Sequence, residues 1–216
     1  MRGRVLQILA VVFMACPAVG LAQTHKDGIY FTAEDIQAVL KHSADTKRTI
    51  PDNTIEVLDM GTYNLGIAVV HRGAMGGRGA GAGAGRGNTT AAANPQPACG
   101  EQSAGVTGPG GLYHDDTAES YIITSGSATM ITGGKIVNGR RSAPDSEVTR
   151  ILNGPSCSGT IVGGTTHNVK VGDIVIIPEG VPHGFTAIPD HVTYLSIRPD
   201  LKKVLQHGYV NPGLKK

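Results

Sequence analysis

Apolar residues along this chain fall in short runs that glycine repeatedly interrupts. That spacing predicts strands rather than long helices. Thr54 to Met60 and Tyr63 to Arg72 read as two strands joined at Gly61-Thr62. In the second, alternation puts Leu65, Ile67, Val69 and His71 on one face. His71, at the strand end, is expected to be exposed or hydrogen-bonded. Leu112 to His114 and Glu119 to Thr124 follow, with Glu119, Tyr121 and Ile123 sharing a face. Ser125-Gly126 and Gly133-Gly134 read as turns into Ser127 to Thr132 and Lys135 to Val137. Glu147 to Leu152 reads as a further strand or a short extension. Ser158 to Val162 and Asn168 to Val171 flank a turn at Gly163-Gly164. The β-branched run from Ile174 to Ile177 predicts a strand buried on both faces. Val192 to Arg198 is the last predicted strand.

Helical patterns occur only near the ends. Thr32 with Asp35 forms a capping-box pattern, and Ile36, Val39 and Leu40 give one apolar face through about Lys41. That helix is expected to pack on the outside of the sheet. Pro199 is expected to begin a second short helix carrying Leu201, Val204 and Leu205, stopped near Gly208. Many short strands with glycine turns predict an all-β sandwich or barrel.

Composition narrows the function classes. The chain has 216 residues, enough for one domain with a sizeable core. Its formal net charge is +2 and aromatics make up 4%, so neither a basic face nor a stacking platform argues for nucleic acid. Residues 1–22 read as an export signal. Arg2 and Arg4 precede an apolar stretch from Val5 to Ala15 that is too short to span a bilayer. Cleavage is expected after Ala22, in the small-x-small stretch Gly20-Leu21-Ala22. This predicts a periplasmic or secreted protein with no membrane partner after cleavage. Cys99 and Cys157 then remain, an even pair in an oxidising compartment, and a disulfide is predicted between them. Residues 73–98 are rich in glycine and alanine and read as a low-complexity insertion between two strands.

Two stretches carry chemistry. The first contains His114-x4-Glu119-x6-Gly126; the second reads Gly172-x5-Pro178-x-Gly180-x2-His183. Pro178, Gly180 and Pro182 restrict the backbone near His183 and predict a stiff turn that presents it at the barrel mouth. These stretches resemble the two motifs of the cupin superfamily over roughly residues 55–200. In the first motif the family has another histidine two residues before the position of His114, where this chain has Leu112.

The resemblance implies a single cupin-type β-barrel, or jelly roll, with a short N-terminal and a short C-terminal helix. The divisions are a signal over 1–22, a lead-in and helix over 23–53, a barrel over 54–200 and a C-terminal helix and tail over 201–216. It implies that His114, Glu119 and His183 bind a divalent metal ion inside the barrel. Two imidazoles and a carboxylate suit Fe and could also hold Mn, Ni, Zn or Cu. Asp116 is a candidate partner to a metal ligand. Glu119 and Tyr121 are the candidate catalytic residues. Tyr121, on the face of Glu119, is placed to give a hydrogen bond or a proton. The chemistry expected is metal-dependent oxygenase, isomerase or lyase action on a small-molecule substrate. A non-catalytic barrel that binds a small ligand such as a sugar is the alternative. The resemblance also implies a homodimer. No G-x-S-x-G elbow argues for a serine nucleophile.

Overall fold

A computed structural model describes residues 27–76 and 96–214. The predicted signal over 1–22 and most of the low-complexity tract lie outside the described residues.

One helix, α1 (Ala33–Asp45), precedes ten strands. They are β1 (Asp52–Asp59), β2 (Asn64–Met75), β3 (Ala98–Cys99), β4 (Gly110–His114), β5 (Glu119–Thr132), β6 (Lys135–Arg141), β7 (Ser156–Val162), β8 (Thr165–Lys170), β9 (Ile174–Ile177) and β10 (His183–Asp200). All named pairings are antiparallel. The result is the expected all-β jelly-roll barrel. One layer holds β1, β2, the second half of β10, the first half of β5 and β9. The other holds β3, β6, β7, β4, the start of β10, the second half of β5 and β8.

β5 and β10 are each longer than the hydrophobic pattern predicts, because each runs through both layers. Gly126 does not end a strand; it bends β5 between the layers with φ 72°. A Cβ there would sit 1.9 Å from the His191 carbonyl oxygen, so only glycine fits the bend. The last strand starts well before Val192. His183 is therefore the first residue of β10 and not a turn residue.

The helix begins as predicted. The Thr32 hydroxyl accepts from the Asp35 amide, and the Asp35 carboxylate accepts from the Thr32 amide. Val39, with Ile36 and Leu40, packs on Ile55, Ile67, Val69 and Leu195, the outer face of β1, β2 and β10. A separate cluster of buried residues lies inside the barrel: Val70, Tyr121, Ile123, Met130, Val169, Ile177, Phe185, Val192 and Tyr194. His71 lies on the outer face, exposed, and its Nδ1 contacts the Thr193 hydroxyl at 2.8 Å.

Four expectations need correction. The second helix does not form. Residues 201–214 are turns and a bridge; over 208–211 the backbone pairs with β1, Val57 donating to Tyr209, Gly208 to Val57 and Asn211 to Ile55, and the Gln206 amide donates to the Arg150 carbonyl. The Asp200 carboxylate takes the amides of Val204 and Leu205. Glu147 to Leu152 is not a strand; Val148–Leu152 makes one wide helical turn. Ile174 and Ile176 are each 64% exposed, so the run is not buried on both faces. β9 pairs only with β5 and keeps one face in solvent. Finally, strand continues to Met75 and resumes at Ala98, so the ends of the 73–98 tract belong to the sheet.

Cys99 and Cys157 form the predicted disulfide, 58 residues apart in sequence. It ties β3, which pairs only with β6, to the buried Cys157 on β7. Closing a loop of that length is worth about 4 kcal/mol in chain entropy. A Cys99→Ala/Cys157→Ala variant is expected to lose about 2–4 kcal/mol in urea denaturation. A loss under about 0.5 kcal/mol would show that β3 contributes nothing to the cooperative unit.

Candidate metal centre

Three strands bring the site together. His114 ends β4, Glu119 begins β5 and His183 begins β10. Leu112 on β4 pairs with His183 on β10, and Glu119 on β5 pairs with Ile177 on β9. Gly111 lets β4 lie close to β10; a Cβ there would be 2.5 Å from the His183 carbonyl oxygen. His114, Glu119 and His183 are all buried, at 3%, 1% and 3% exposure. One ligand atom from each lies within 4.8 Å of the other two. All three residues predicted as metal ligands are thus brought together. Asp116 is not among them: it pairs with Lys202 at the surface.

The Glu119 carboxylate divides its two oxygens. Oε1 accepts from Asn153 Nδ2 at 2.8 Å, Ser196 Oγ at 3.1 Å and Arg198 Nε at 2.8 Å. Oε2 accepts from the Tyr121 hydroxyl at 2.7 Å and faces His114 Nε2 and His183 Nε2, both at 3.2 Å. Burial opposes ionisation of Glu119. The cation of Arg198 outweighs it and holds the carboxyl well below its ordinary range. Burial, reinforced by the charge on Glu119, pushes the Tyr121 phenol well above its ordinary value. Tyr121 therefore stays a donor to Oε2.

The outer nitrogens decide what the inner ones are. His183 Nδ1 lies 3.0 Å from the Val181 carbonyl, which can only accept. His114 Nδ1 lies 2.8 Å from Ser156 Oγ, whose single proton goes to the Gly154 carbonyl. Both Nδ1 atoms therefore carry the hydrogen. In a neutral ring that leaves Nε2 as a bare lone pair. Burial also lowers the pKa of His114, which favours its neutral form. Two imidazole lone pairs and a carboxylate oxygen then converge with no proton of their own to share. Three such acceptors in a buried space call for a cation, and their outer partners fix ring orientation as metal-site partners do. The donor set fits a divalent first-row metal.

The site contains residues that motif spacing did not reveal. Arg198 donates to Glu119, to the Leu152 carbonyl at 3.0 Å and to Asp52 Oδ2 at 2.6 Å. Asn153, Ser156 and Ser196 complete the buried polar layer. The readable signal for Arg198 was alternation: Tyr194, Ser196 and Arg198 share one face of the last strand. No comparable signal marks Asn153, which follows the wide helical turn.

The fold and the site define an antiparallel β-barrel protein with a buried His–Glu–His cluster. No family model matches the chain, and no curated protein does. Solved structures similar to it include an RmlC-like cupin family protein with a double-stranded β-helix fold from Methanocaldococcus jannaschii. The two are 12% identical over 71% of this chain and 84% of that one, with a TM-score of 0.31. A cupin protein from Bacteroides fragilis is 13% identical over 70% and 78%, with a TM-score of 0.29. The DMSP lyase DddQ from Ruegeria pomeroyi is 15% identical, with a TM-score of 0.29; 62% of this chain matches 37% of the lyase chain. At such identities the fold of this chain stands on its own strand pairing.

Proposed function

We propose that this chain is an exported, cupin-type barrel that holds one divalent metal ion on His114, Glu119 and His183 and acts on a small molecule. The observation that carries the reading is the convergence of two Nε2 lone pairs and Glu119 Oε2, each fixed from behind by a hydrogen bond. Glu119 offers Oε2 alone, because three donors hold Oε1. A metal bound there supplies Lewis acidity or a redox centre for oxygenase, isomerase or lyase chemistry. Tyr121 is the proton-bearing group beside Oε2, and its raised pKa keeps the proton in place until a stronger base approaches. Val181 and Ile177 line an open groove of about 430 Å³ with Met130, His167, Asp173 and Ile176, and none of the three clustered residues lines it. The disulfide supports export to an oxidising compartment. Exposed Ile174 and Ile176 on an edge strand support a homodimer.

A second reading, a non-catalytic small-ligand barrel, is favoured by the burial of all three ligands, since a substrate reaches them only after side chains move. Elemental analysis of protein purified without chelator or affinity tag separates the two. About one equivalent of a first-row metal, lost in His114→Ala, is expected from the donor set. No metal in the purified protein, and none taken up on dialysis, would overturn the metal reading in favour of the second.

A further inference from the structure

Arg72 is a half-buried cation that the metal cluster does not use. It lies on the inner face of β2, opposite Val192 of β10, two positions beyond the core residue Val70. Its guanidinium carbon stands 5.3 Å from the centroid of the Phe185 ring. Tyr194 is its polar, hydrogen-bonding neighbour, and the contact helps hold the Arg72 pKa up against burial. Nε is buried and has no hydrogen-bond partner. Among the described residues Arg72 has no ion pair. Asp52, a carboxylate whose charge reaches Arg72, gives Oδ2 to Arg198 at 2.6 Å. Arg72 as a whole keeps partial solvent exposure, so it can be reached.

A guanidinium in this position is unusual. Buried charges are normally paired, and buried N–H groups normally find an acceptor. The ring of Phe185 stabilises the cation but accepts no N–H in the ordinary sense. What is missing is a planar anion presenting two oxygens to the fork, the pattern a carboxylate supplies best. The position is also connected to the cluster. Tyr194 stacks on Tyr121 with ring centroids 4.3 Å apart, and Tyr121 donates to Glu119 Oε2.

We propose that Arg72, framed by Phe185 and Tyr194, is an anion-binding subsite of the barrel, and that the small molecule it takes carries a carboxylate. The proposal rests on reading the barrel interior as a small-molecule site. It places the ligand's carboxylate one aromatic layer away from the His114–Glu119–His183 cluster.

Benzoate is the probe, with benzyl alcohol as its neutral counterpart and inorganic phosphate as a non-planar anion. Calorimetric titration of the wild-type protein is expected to show benzoate binding and no binding of benzyl alcohol. Arg72→Met is expected to weaken benzoate by about tenfold or more, the worth of charge-assisted hydrogen bonds. Arg72→Lys keeps the charge without the fork and is expected to fall between them. It also serves where Arg72→Met fails to fold. Equal benzoate affinity in wild type and either variant would overturn the subsite, as would no benzoate binding by folded wild type. Phosphate binding as tightly as benzoate would overturn the carboxylate assignment. Metal content is measured on the same samples. Arg72-dependent benzoate binding by metal-free protein would leave the subsite standing while the metal reading fails. Full metal occupancy with Arg72-independent binding would do the reverse.

Discussion

An Arg198→Met variant is expected to lose about 3–5 kcal/mol of stability, as when one partner of a buried ion pair is removed. Total stabilities of single domains are about 5–15 kcal/mol, so this change alone would bring the protein near its limit. The reason is the number of groups that Arg198 satisfies. It is 1% exposed and donates to Glu119, Asp52, Ser196 and the Leu152 carbonyl. Methionine matches its length but leaves Glu119 facing two histidines without its cation and strips Asp52 of its ion pair. Oδ1 of Asp52 is already buried without a partner, so that carboxylate has no other support to fall back on. Urea denaturation followed by circular dichroism reads the loss. A cost under about 1 kcal/mol, the size of a surface pair, would show that the buried network does not hold the barrel together.

Arg198 also shows why part of this site was hidden in the sequence. Alternation along Val192 to Arg198 divides the strand into Val192, Tyr194, Ser196, Arg198 and Thr193, Leu195, Ile197. Each set carries two apolar or aromatic residues, so a rule that turns apolar residues inward does not choose between them. The structure buries the first set in the barrel and covers Leu195 from outside with α1. Both faces of this strand are covered, so hydrophobicity does not tell them apart. The clustered residues His114, Glu119 and His183 were legible because their spacing repeats a motif. Their supporting residues come from β7, the wide helical turn and the far half of β10, and no local pattern links those.

The strands themselves were mostly legible, and their ends were not. Glycine was read as the end of a strand at Gly126, where it serves instead as a bend within one. The same limit applies to the C-terminal tail. Leu201, Val204 and Leu205 have helical spacing, yet the Asp200 carboxylate takes the Val204 and Leu205 amides and the distant Arg150 carbonyl takes the Gln206 amide, so no helical ladder forms. Just beyond, β1 pairs with residues 208–211. Such partners are long-range features, and helical periodicity is a local one. Ile174 to Ile177 failed for a related reason: a run of β-branched residues does not say whether its strand has two neighbours or one.

Glu119→Gln is expected to abolish tight metal binding while leaving the fold largely intact. The two effects can be separated because the carboxylate has two differently occupied oxygens. Arg198 and Asn153 donate to the Oε1 side, which the amide oxygen of glutamine can still serve. The amide nitrogen then falls on the Oε2 side, where two Nε2 lone pairs await a donor. Glutamine thus satisfies the two Nε2 acceptors with its own hydrogens, while the Tyr121 hydroxyl loses its acceptor on that side. The loss of one charge beside Arg198 is expected to cost about 1.5–3 kcal/mol, the worth of a hydrogen bond to a charged group. Metal affinity should fall by more than the roughly 10–100-fold seen when only a ligand's hydrogen-bond partner is removed. Acid sensitivity gives a second readout with a definite sign. The folded-state pKa of Glu119 is depressed, so its contribution is present above the ordinary carboxyl value of 4.5 and is lost as pH falls through the folded value. Glutamine has no such proton to take up, so the variant's stability should fall less steeply than wild type below that pH. A Glu119→Gln protein that still holds one equivalent of metal would remove Glu119 from the ligand set and leave it as the counter-charge of Arg198. A folded variant without metal, and with the flatter acid profile, assigns the carboxylate both roles, one on each oxygen.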